Sequence, residues 1–437
     1  MKRLNEDLFI QWFKADSRSP LLIRGVRQVG KSWITSVLGA QLAKKVHVID
    51  FELIPEARFA FDSPDPLKII ANLEVILGQK IESTNTLLFL DEIQLCPKAI
   101  VALRYFKEKM PALAVVAAGS LLEFALKRND FSFPVGRISF LFMKPMTFKE
   151  FLLATNEEPA LRALTNATVS RPCSQSIHVK LLSLVQDYFQ IGGMPAVVDS
   201  YARSKSWLKA RELQSTLIQS YRLDFPKYAK QTQIEHLEKC FQKAPSLIGQ
   251  TLKYVNFDRD ARALNIKTAL EQLEWAGLIH RVHAVTGDGL PLAAHAKNRP
   301  GKIILHDIGI MQASLGGPMT PSKDEDITGI YRGAIAEQFV GQELVALAPQ
   351  YEPAWLAYWE RSALNSQAEV DYVMTIDSKV IPLEVKSGKS GRLKSLHLFM
   401  QEKKTPIGLR VSSRPLELEG QILSVPFYMV SEIPRLL

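Results

Sequence analysis

The 437-residue chain is 47% hydrophobic and 23% charged with a net charge of +9, the profile of a globular protein with room for roughly two to four domains. Its three cysteines, Cys96, Cys173 and Cys240, are far apart with no C-x-x-C spacing, which suggests neither a disulfide framework nor a zinc site and fits a reducing compartment. The longest apolar window, Leu113 to Leu126, is broken by Gly119, Ser120 and Glu123, and Met1–Asp7 carries acids where a signal peptide needs an apolar core. A cytoplasmic protein with no membrane partner is expected, and the positive charge is compatible with a nucleic-acid partner without establishing one.

In chain order, a short amphipathic segment (Leu8, Phe9, Trp12, Phe13) precedes the apolar run Leu21-Leu22-Ile23, which reads as a strand. Gly25-Val26-Arg27-Gln28-Val29-Gly30-Lys31-Ser32 follows, then Trp33 and a segment with apolar residues at helical spacing. Strand, G-x-x-x-x-G-K-S loop, helix is the phosphate-binding loop in its required context. The glycines let backbone N–H groups face a phosphate at a helix N-terminus. Residues 25–33 are thus the candidate nucleotide cradle, Lys31 reaching the β- and γ-phosphates and the Ser32 hydroxyl binding Mg²⁺.

Lys45–Phe51 reads as a second buried strand and Pro66–Leu77 as a helix. Thr86-Leu87-Leu88-Phe89-Leu90-Asp91-Glu92 is an apolar strand ending in two acids, a Walker B sequence. Asp91 would hold Mg²⁺ through water and Glu92 would polarise the attacking water. The next strand ends at Gly119-Ser120, and Gly136-Arg137 precedes a fifth strand at Ile138–Phe142.

GVRQVGKS, FLDEIQ, AAGSLLEF and GRISFLFMKPMTFKEFL together resemble the bacterial and archaeal AAA-type ATPases that carry a C-terminal DUF4143 region. The resemblance implies ATP and Mg²⁺ as ligands, with Ser120 at the γ-phosphate sensor position. Arg137 is then a candidate arginine finger, acting in cis or from a neighbouring subunit of a homo-oligomer. A turn at Ser120 and a solvated edge at Arg137 are the plainer readings.

Residues 155–243 read as a helical lid in which Gly192-Gly193-Met194-Pro195 interrupts two helical stretches. The element resembles the G-G-x-P turn of this family and of STAND-type NTPases, implying that Gly193 and Pro195 lie against the nucleotide; a helix–helix turn explains the same residues. Residues 244–318 read as a winged helix-turn-helix: a helix at Pro245–Tyr254, a recognition-position helix at Ile266–Ile279, and a wing formed by His280–Val285 and Lys302–Leu305. Lys267, Thr268, Glu271 and Gln272 would face DNA, though Glu271 and Glu274 repel phosphate.

In the last region, 325–437, a helix from Gly329 to Leu347 carries Glu337, and three strand-like pieces carry Asp371 and Glu384-Val385-Lys386. The order resembles the PD-(D/E)xK nucleases, a restriction-endonuclease-like fold. Residues i and i+2 of a strand share a face, so Glu384 and Lys386 point the same way. A tight turn at Asp377-Ser378 would bring Asp371 beside Glu384, two carboxylates suited to a hard divalent ion with Glu337 completing the shell. Lys386 would activate water and stabilise charge building on a phosphate. Lys389, Arg392 and Lys394 add a candidate backbone patch.

The expected architecture is therefore α/β: a P-loop AAA-type core (1–154), helical lid, winged helix-turn-helix and restriction-endonuclease-like domain. The expected activity is Mg²⁺-dependent ATP hydrolysis controlling a DNA-interacting, DNA-cleaving C-terminal domain. Two alternatives stand beside it: a STAND-like ATP switch whose nuclease-like domain binds protein without cutting, and a DNA-binding regulator built on the winged helix.

Overall fold

Apolar runs that alternate with helices fold into parallel strands, because each return crossover lays a helix on the sheet and buries both faces. In the computed structural model, which describes residues 3–127, 136–317, 330–361, 368–388 and 392–437, this gives a five-stranded sheet in the first of two compact units, residues 2–144 with 349–353. Its strands are β1 (Leu21–Arg24), β2 (Lys45–Asp50), β3 (Thr86–Asp91), β4 (Ala114–Ala118) and β5 (Ser139–Phe142), ordered β2-β3-β4-β1-β5 with every pairing parallel. β4 is buried throughout and β3 is buried up to Asp91. All five strands therefore present their C-terminal tips, where ligands of such sheets bind, on one side. The helix Pro66–Leu77 forms where expected, opened by proline at its first position and closed by Gly78 in the left-handed region.

The second unit comprises residues 145–348 and 354–437. The TFKEF stretch begins it, as the helix Phe148–Ala154. Thr147 accepts the Glu150 N–H at 3.2 Å while the Glu150 carboxylate accepts the Thr147 N–H at 2.7 Å, a reciprocal capping box. The long helices Gln175–Ile191 and Trp207–Tyr228 match the helical reading of this region.

The helix expected at Pro245–Tyr254 does not form. A short turn at Ala244–Leu247 gives way to Gly249 at φ 78°, and only another short turn, Tyr254–Asn256, follows. The pair that does form is Gln231–Lys243 against Ala263–Trp275, joined by Asn265 Nδ2 and His236 Nε2 at 3.1 Å, while Lys239 Nζ holds Asp258 Oδ2 of the intervening segment at 2.8 Å.

The expected wing is not free either. Its strands β6 (Ile279–Val285) and β7 (Lys302–Leu305) belong to an eight-stranded sheet with β8 (Leu356–Glu360), β9 (Glu369–Ile376), β10 (Lys379–Val385), β11 (Gly408–Ser412), β12 (Glu417–Glu419) and β13 (Ile422–Pro426). The order is β12-β13-β11-β10-β9-β8-β6-β7, and β6 lies parallel to β8 from Val282↔Leu356 to Val285↔Trp359. The middle and C-terminal regions thus share one sheet. β7 is buried along its whole length, and Gln272, expected to face DNA, is buried within hydrogen-bonding reach of Gln233, which removes it from base reading.

The helix Ile330–Leu347 crosses this sheet with a buried polar row. Gln338 accepts the Leu305 N–H and donates to the Leu305 carbonyl, both at 2.8 Å. Gln342 accepts the Ile308 N–H at 2.8 Å and Glu343 accepts the Phe148 N–H at 3.0 Å. Each side chain satisfies a backbone group that would otherwise be buried without a partner. All three cysteines are free, and among the described residues no helix is long and apolar enough to cross a membrane.

Burial pushes the Glu343 carboxyl up to about 7 from an ordinary value of 4.5. Between those values the folded protein holds a proton that the unfolded chain has lost, so this group's contribution to stability falls as pH rises through the window. Glu343→Gln keeps the acceptor for Phe148 and removes the titration. Relative to the native chain it should gain stability from pH 4.5 to 7, by at most about 3 kcal/mol. Denaturant midpoints of the two proteins across that range check it; a constant difference contradicts it.

Candidate functional sites

In the first unit, the loop leaving β1 is shaped by two glycines. Gly25 has φ 145° and lies so close to the Met143 carbonyl that a Cβ would sit 2.3 Å from its oxygen; Gly30, at φ 102°, starts the helix that carries Lys31. That helix passes through a π-bulge at Ile34–Leu38 before closing at Gly39–Leu42. Gly25, Val26, Arg27, Gln28, Val29, Gly30, Lys31, Ser32 and Trp33 thus form one continuous loop-to-helix turn at the tip of β1.

Lys31 is 7% exposed, and its Nζ donates to the carbonyls of Gly25 and Val26, both at 2.9 Å. Burial lowers its pKa to about 8 even though Glu92 and Asp91 act to raise it; Arg27 lowers it further. The Ser32 Oγ donates to Asp91 Oδ2 at 2.7 Å, so the loop and the tip of β3 meet there. Burial raises the Asp91 pKa while the Ser32 hydrogen bond opposes the rise. β2 and β3 pair Asp50 with Asp91 in register, which places a third carboxylate at the same sheet end.

Glu92 has φ 49°, ψ 43°, a left-handed conformation that costs a non-glycine residue about 1 kcal/mol or more. Its carboxylate is fixed from two sides: Ser120 Oγ donates to Oε2 at 3.2 Å, and the Gln94 amide donates to the same oxygen. Gly119 leaves room for this arrangement: a Cβ there would fall 2.0 Å from Gln94 Oε1 and displace the amide. Ser120 therefore stands beside the acidic pair.

Arg137 stands elsewhere. It precedes β5, whose first residue Ser139 pairs with Leu21 at the start of β1, and its guanidinium binds Glu108 at 3.2 Å, half exposed. That is the sheet end opposite the loop, so an arginine finger in cis is excluded by geometry.

Two residues with no sequence signature support this site. Arg3, 4% exposed, donates to the Val29 carbonyl at 2.9 Å and the Lys144 carbonyl at 2.7 Å, bracing the loop from behind. Gln94, two residues after Glu92, is the other.

In the second unit, Gly192 has φ 73°, and the Gly193 N–H donates to Asp307 Oδ2 at 2.6 Å while Pro195 opens the helix Pro195–Ser204. A Cβ on Gly193 would meet the Met146 carbonyl oxygen at 2.1 Å. Packing accounts for this turn's glycines.

The acidic residues of the last region converge on one sheet face. Asp377 and Ser378 both have positive φ, giving a two-residue hairpin turn that pairs Lys379 with Ile376 and Leu383 with Tyr372. One residue further, Asp371 Oδ2 accepts the Val385 N–H at 2.7 Å, beside Glu384. Lys386 Nζ donates to Glu384 Oε1 at 2.6 Å, whereas Glu384 Oε2 is buried without a hydrogen-bond partner. Burial and the neighbouring Asp371 charge push the Glu384 carboxyl up to about 7, against Lys386.

Glu337 faces a different cation. Lys302 of β7 is 1% exposed and donates to Glu337 Oε1 at 3.0 Å and to Glu369 Oε1 at 2.5 Å. Burial would lower the Lys302 pKa, but Glu337, Asp371 and Glu369 outweigh it and hold the ammonium above the usual lysine range. Burial raises Glu337 as well, opposed by Lys302. Among the described residues, no three His, Cys, Asp or Glu side chains are arranged to hold one metal ion. Arg392 and Lys394 are exposed; Lys389 lies outside the described residues.

Three family models match successive stretches: an AAA domain over residues 17–152, a domain of unknown function (DUF8612) over 182–320 and another (DUF4143) over 332–428. No curated protein matches the chain. Among solved structures, the Walker-type ATPase PABY2304 of Pyrococcus abyssi aligns over 72% of this chain and 95% of its own, at 14% identity and TM-score 0.46. The Aeropyrum pernix ORC2 protein, solved as ADPNP–ADP complexes, aligns over 64% and 88% at 13% identity and TM-score 0.32. The Thermotoga maritima RuvB Holliday junction branch migration motor aligns over 64% and 90% at 16% and 0.27. At such identities and scores, the family models and the site geometry carry the assignment.

Arg3→Ala removes the charge-assisted bonds that tie the loop's Val29 carbonyl to the Lys144 carbonyl, without touching a ligand position. Affinity for a fluorescent ATP analogue should fall about tenfold with the fold retained; unchanged affinity would show that the loop holds its shape alone. On the AAA-domain match and the loop's geometry, the chain joins an AAA-type P-loop core to a C-terminal DUF4143 region.

Proposed function

We propose that the chain hydrolyses ATP at residues 25–33 and that this cycle governs Mg²⁺-assisted cleavage of nucleic acid at the acidic face of the second unit. The observation that carries the first half is the convergence of Ser32 on Asp91 at 2.7 Å, with Glu92 fixed alongside. A hydroxyl and carboxylates gathered at one strand end are a donor set that fits Mg²⁺. Ser32 and Asp91 would hold it, and it would neutralise charge on the β- and γ-phosphate oxygens. The loop's N–H groups and Lys31 bind the phosphates, Lys31 exchanging its carbonyl partners for phosphate oxygens. Glu92 polarises the water that attacks the γ-phosphorus, and Ser120 reports that phosphate.

For the second half, support comes from Asp371 and Glu384 lying side by side with one Glu384 oxygen buried and unpartnered. These acids fit a divalent ion, and Lys386 is placed to orient water and steady charge on a phosphate. Arg392 and Lys394 offer contacts to the nucleic-acid backbone.

Lys31→Ala should lose nucleotide binding, whereas Glu92→Gln should bind ATP and turn it over at least about 100-fold more slowly. Undiminished turnover in Glu92→Gln refutes its role. Incubation with supercoiled, linear and branched DNA, plus Mg²⁺ or Mn²⁺, with and without ATP, tests the second half. Cleavage should vanish in Asp371→Ala; ATP turnover with no cleavage in the native chain would instead assign the C-terminal region to a binding role.

A further inference from the structure

Lys302 is the one charged residue in a strand whose other members, Ile303, Ile304 and Leu305, are all buried and apolar. Nothing in the packing of β7 calls for a lysine, and burying an ammonium is unfavourable unless anions compensate it. Here they do: Nζ reaches Glu337 Oε1 at 3.0 Å and Glu369 Oε1 at 2.5 Å, and the Tyr358 ring centroid lies 5.1 Å away. Glu369 and Asp371 are two apart on β9 and so share a face.

The other side of Glu337 is enclosed as well. Gly249 comes so near that a Cβ would lie 2.9 Å from Glu337 Oε2, and the Tyr372 hydroxyl donates to the Glu337 backbone carbonyl at 2.9 Å. Glu384, 7% exposed, differs: Lys386 takes only Oε1, and Oε2 is buried with no hydrogen-bond partner. Of the three acids expected to share a metal, one is committed to a lysine from the middle region and two keep each other's company.

We propose that Lys302 is the resident cation of this face, occupying the position between Glu337 and Glu369, so that a divalent ion is held by Asp371 and Glu384 and Glu337 is no ligand to it. This rests on the metal reading of the acidic face given above. With two protein carboxylates as ligands, the remaining positions on the ion would fall to water and a phosphate oxygen. The site is also composite: removing β7 would leave Glu337 and Glu369 without their counter-charge.

The test is Mn²⁺ binding to the full-length chain without nucleotide, followed by electron paramagnetic resonance. Asp371→Asn should weaken binding at least tenfold, whereas Glu337→Gln should stay within twofold of the native chain. Lys302→Met should gain Mn²⁺ affinity at least tenfold or bind an additional ion, and adding Glu337→Gln to it should abolish the gain. The proposal is overturned if Glu337→Gln loses binding as Asp371→Asn does, or if a cooperatively melting Lys302→Met shows no gain. Should Lys302→Met fail to fold, the contrast between Glu337→Gln and Asp371→Asn decides alone. If Asp371→Asn changes nothing, the metal reading of this face falls; a Glu337-dependent gain in Lys302→Met then still supports the resident cation, and its absence overturns it.

Discussion

Carboxylates gathered in a folded interior repel one another and lose their hydration, so a cluster of them survives only with a cation at hand. Both units of this protein meet that constraint with a buried lysine. In the first, Lys31 is drawn into the loop beside Asp91 and Glu92, its pKa brought down to about 8 by the burial itself. In the second, Lys302 is fixed between Glu337 and Glu369 and stays protonated. The difference between the two is mobility of purpose. Lys31 rests on two backbone carbonyls, weak partners that a phosphate can replace. Lys302 is held by two carboxylates and an aromatic face, partners that an incoming anion cannot improve upon.

What surrounds each lysine follows from strand geometry. Parallel strands bring their C-terminal tips to one side, so β1, β2 and β3 deliver the loop, Asp50, Asp91 and Glu92 to a single place although the residues span more than sixty positions of chain. In the second unit the period of two does the same work: Glu369 and Asp371 share a face of β9, and a turn of two positive-φ residues brings Glu384 of β10 alongside, with Lys386 just past that strand's end.

Local signals were legible and long-range ones were not. The loop, the strand ending in Asp91-Glu92, and the Asp371–Glu384 hairpin each declare themselves within a short stretch of chain, because turn chemistry and side-chain period act at that range. The register that joins β6 to β8 leaves no such trace, since β6 and β7 read as a self-sufficient hairpin, and with it went the recognition that Lys302 belongs to the acidic face. The expected helix at 245–254 failed at Gly249, which takes φ 78° and whose close approach to Glu337 is likewise visible only in three dimensions. Arg3 shows the same limit, one arginine bracing a loop twenty-six residues away.

Glu92 brings these threads together. A non-glycine residue is kept in the left-handed region only where its surroundings over-determine it, and here the Gln94 amide and the Ser120 hydroxyl both converge on Oε2. Positioning is thus done through one carboxylate oxygen, and in the proposed hydrolysis the task of polarising water falls to the other. Ser120 cannot serve the γ-phosphate and Glu92 with a single hydrogen-bond proton at the same moment. In the proposed hydrolysis, engagement of the phosphate by Ser120 would therefore leave the Glu92 carboxylate held by Gln94 alone, so a single hydroxyl would couple contact with the nucleotide to the restraint on the residue that polarises the attacking water.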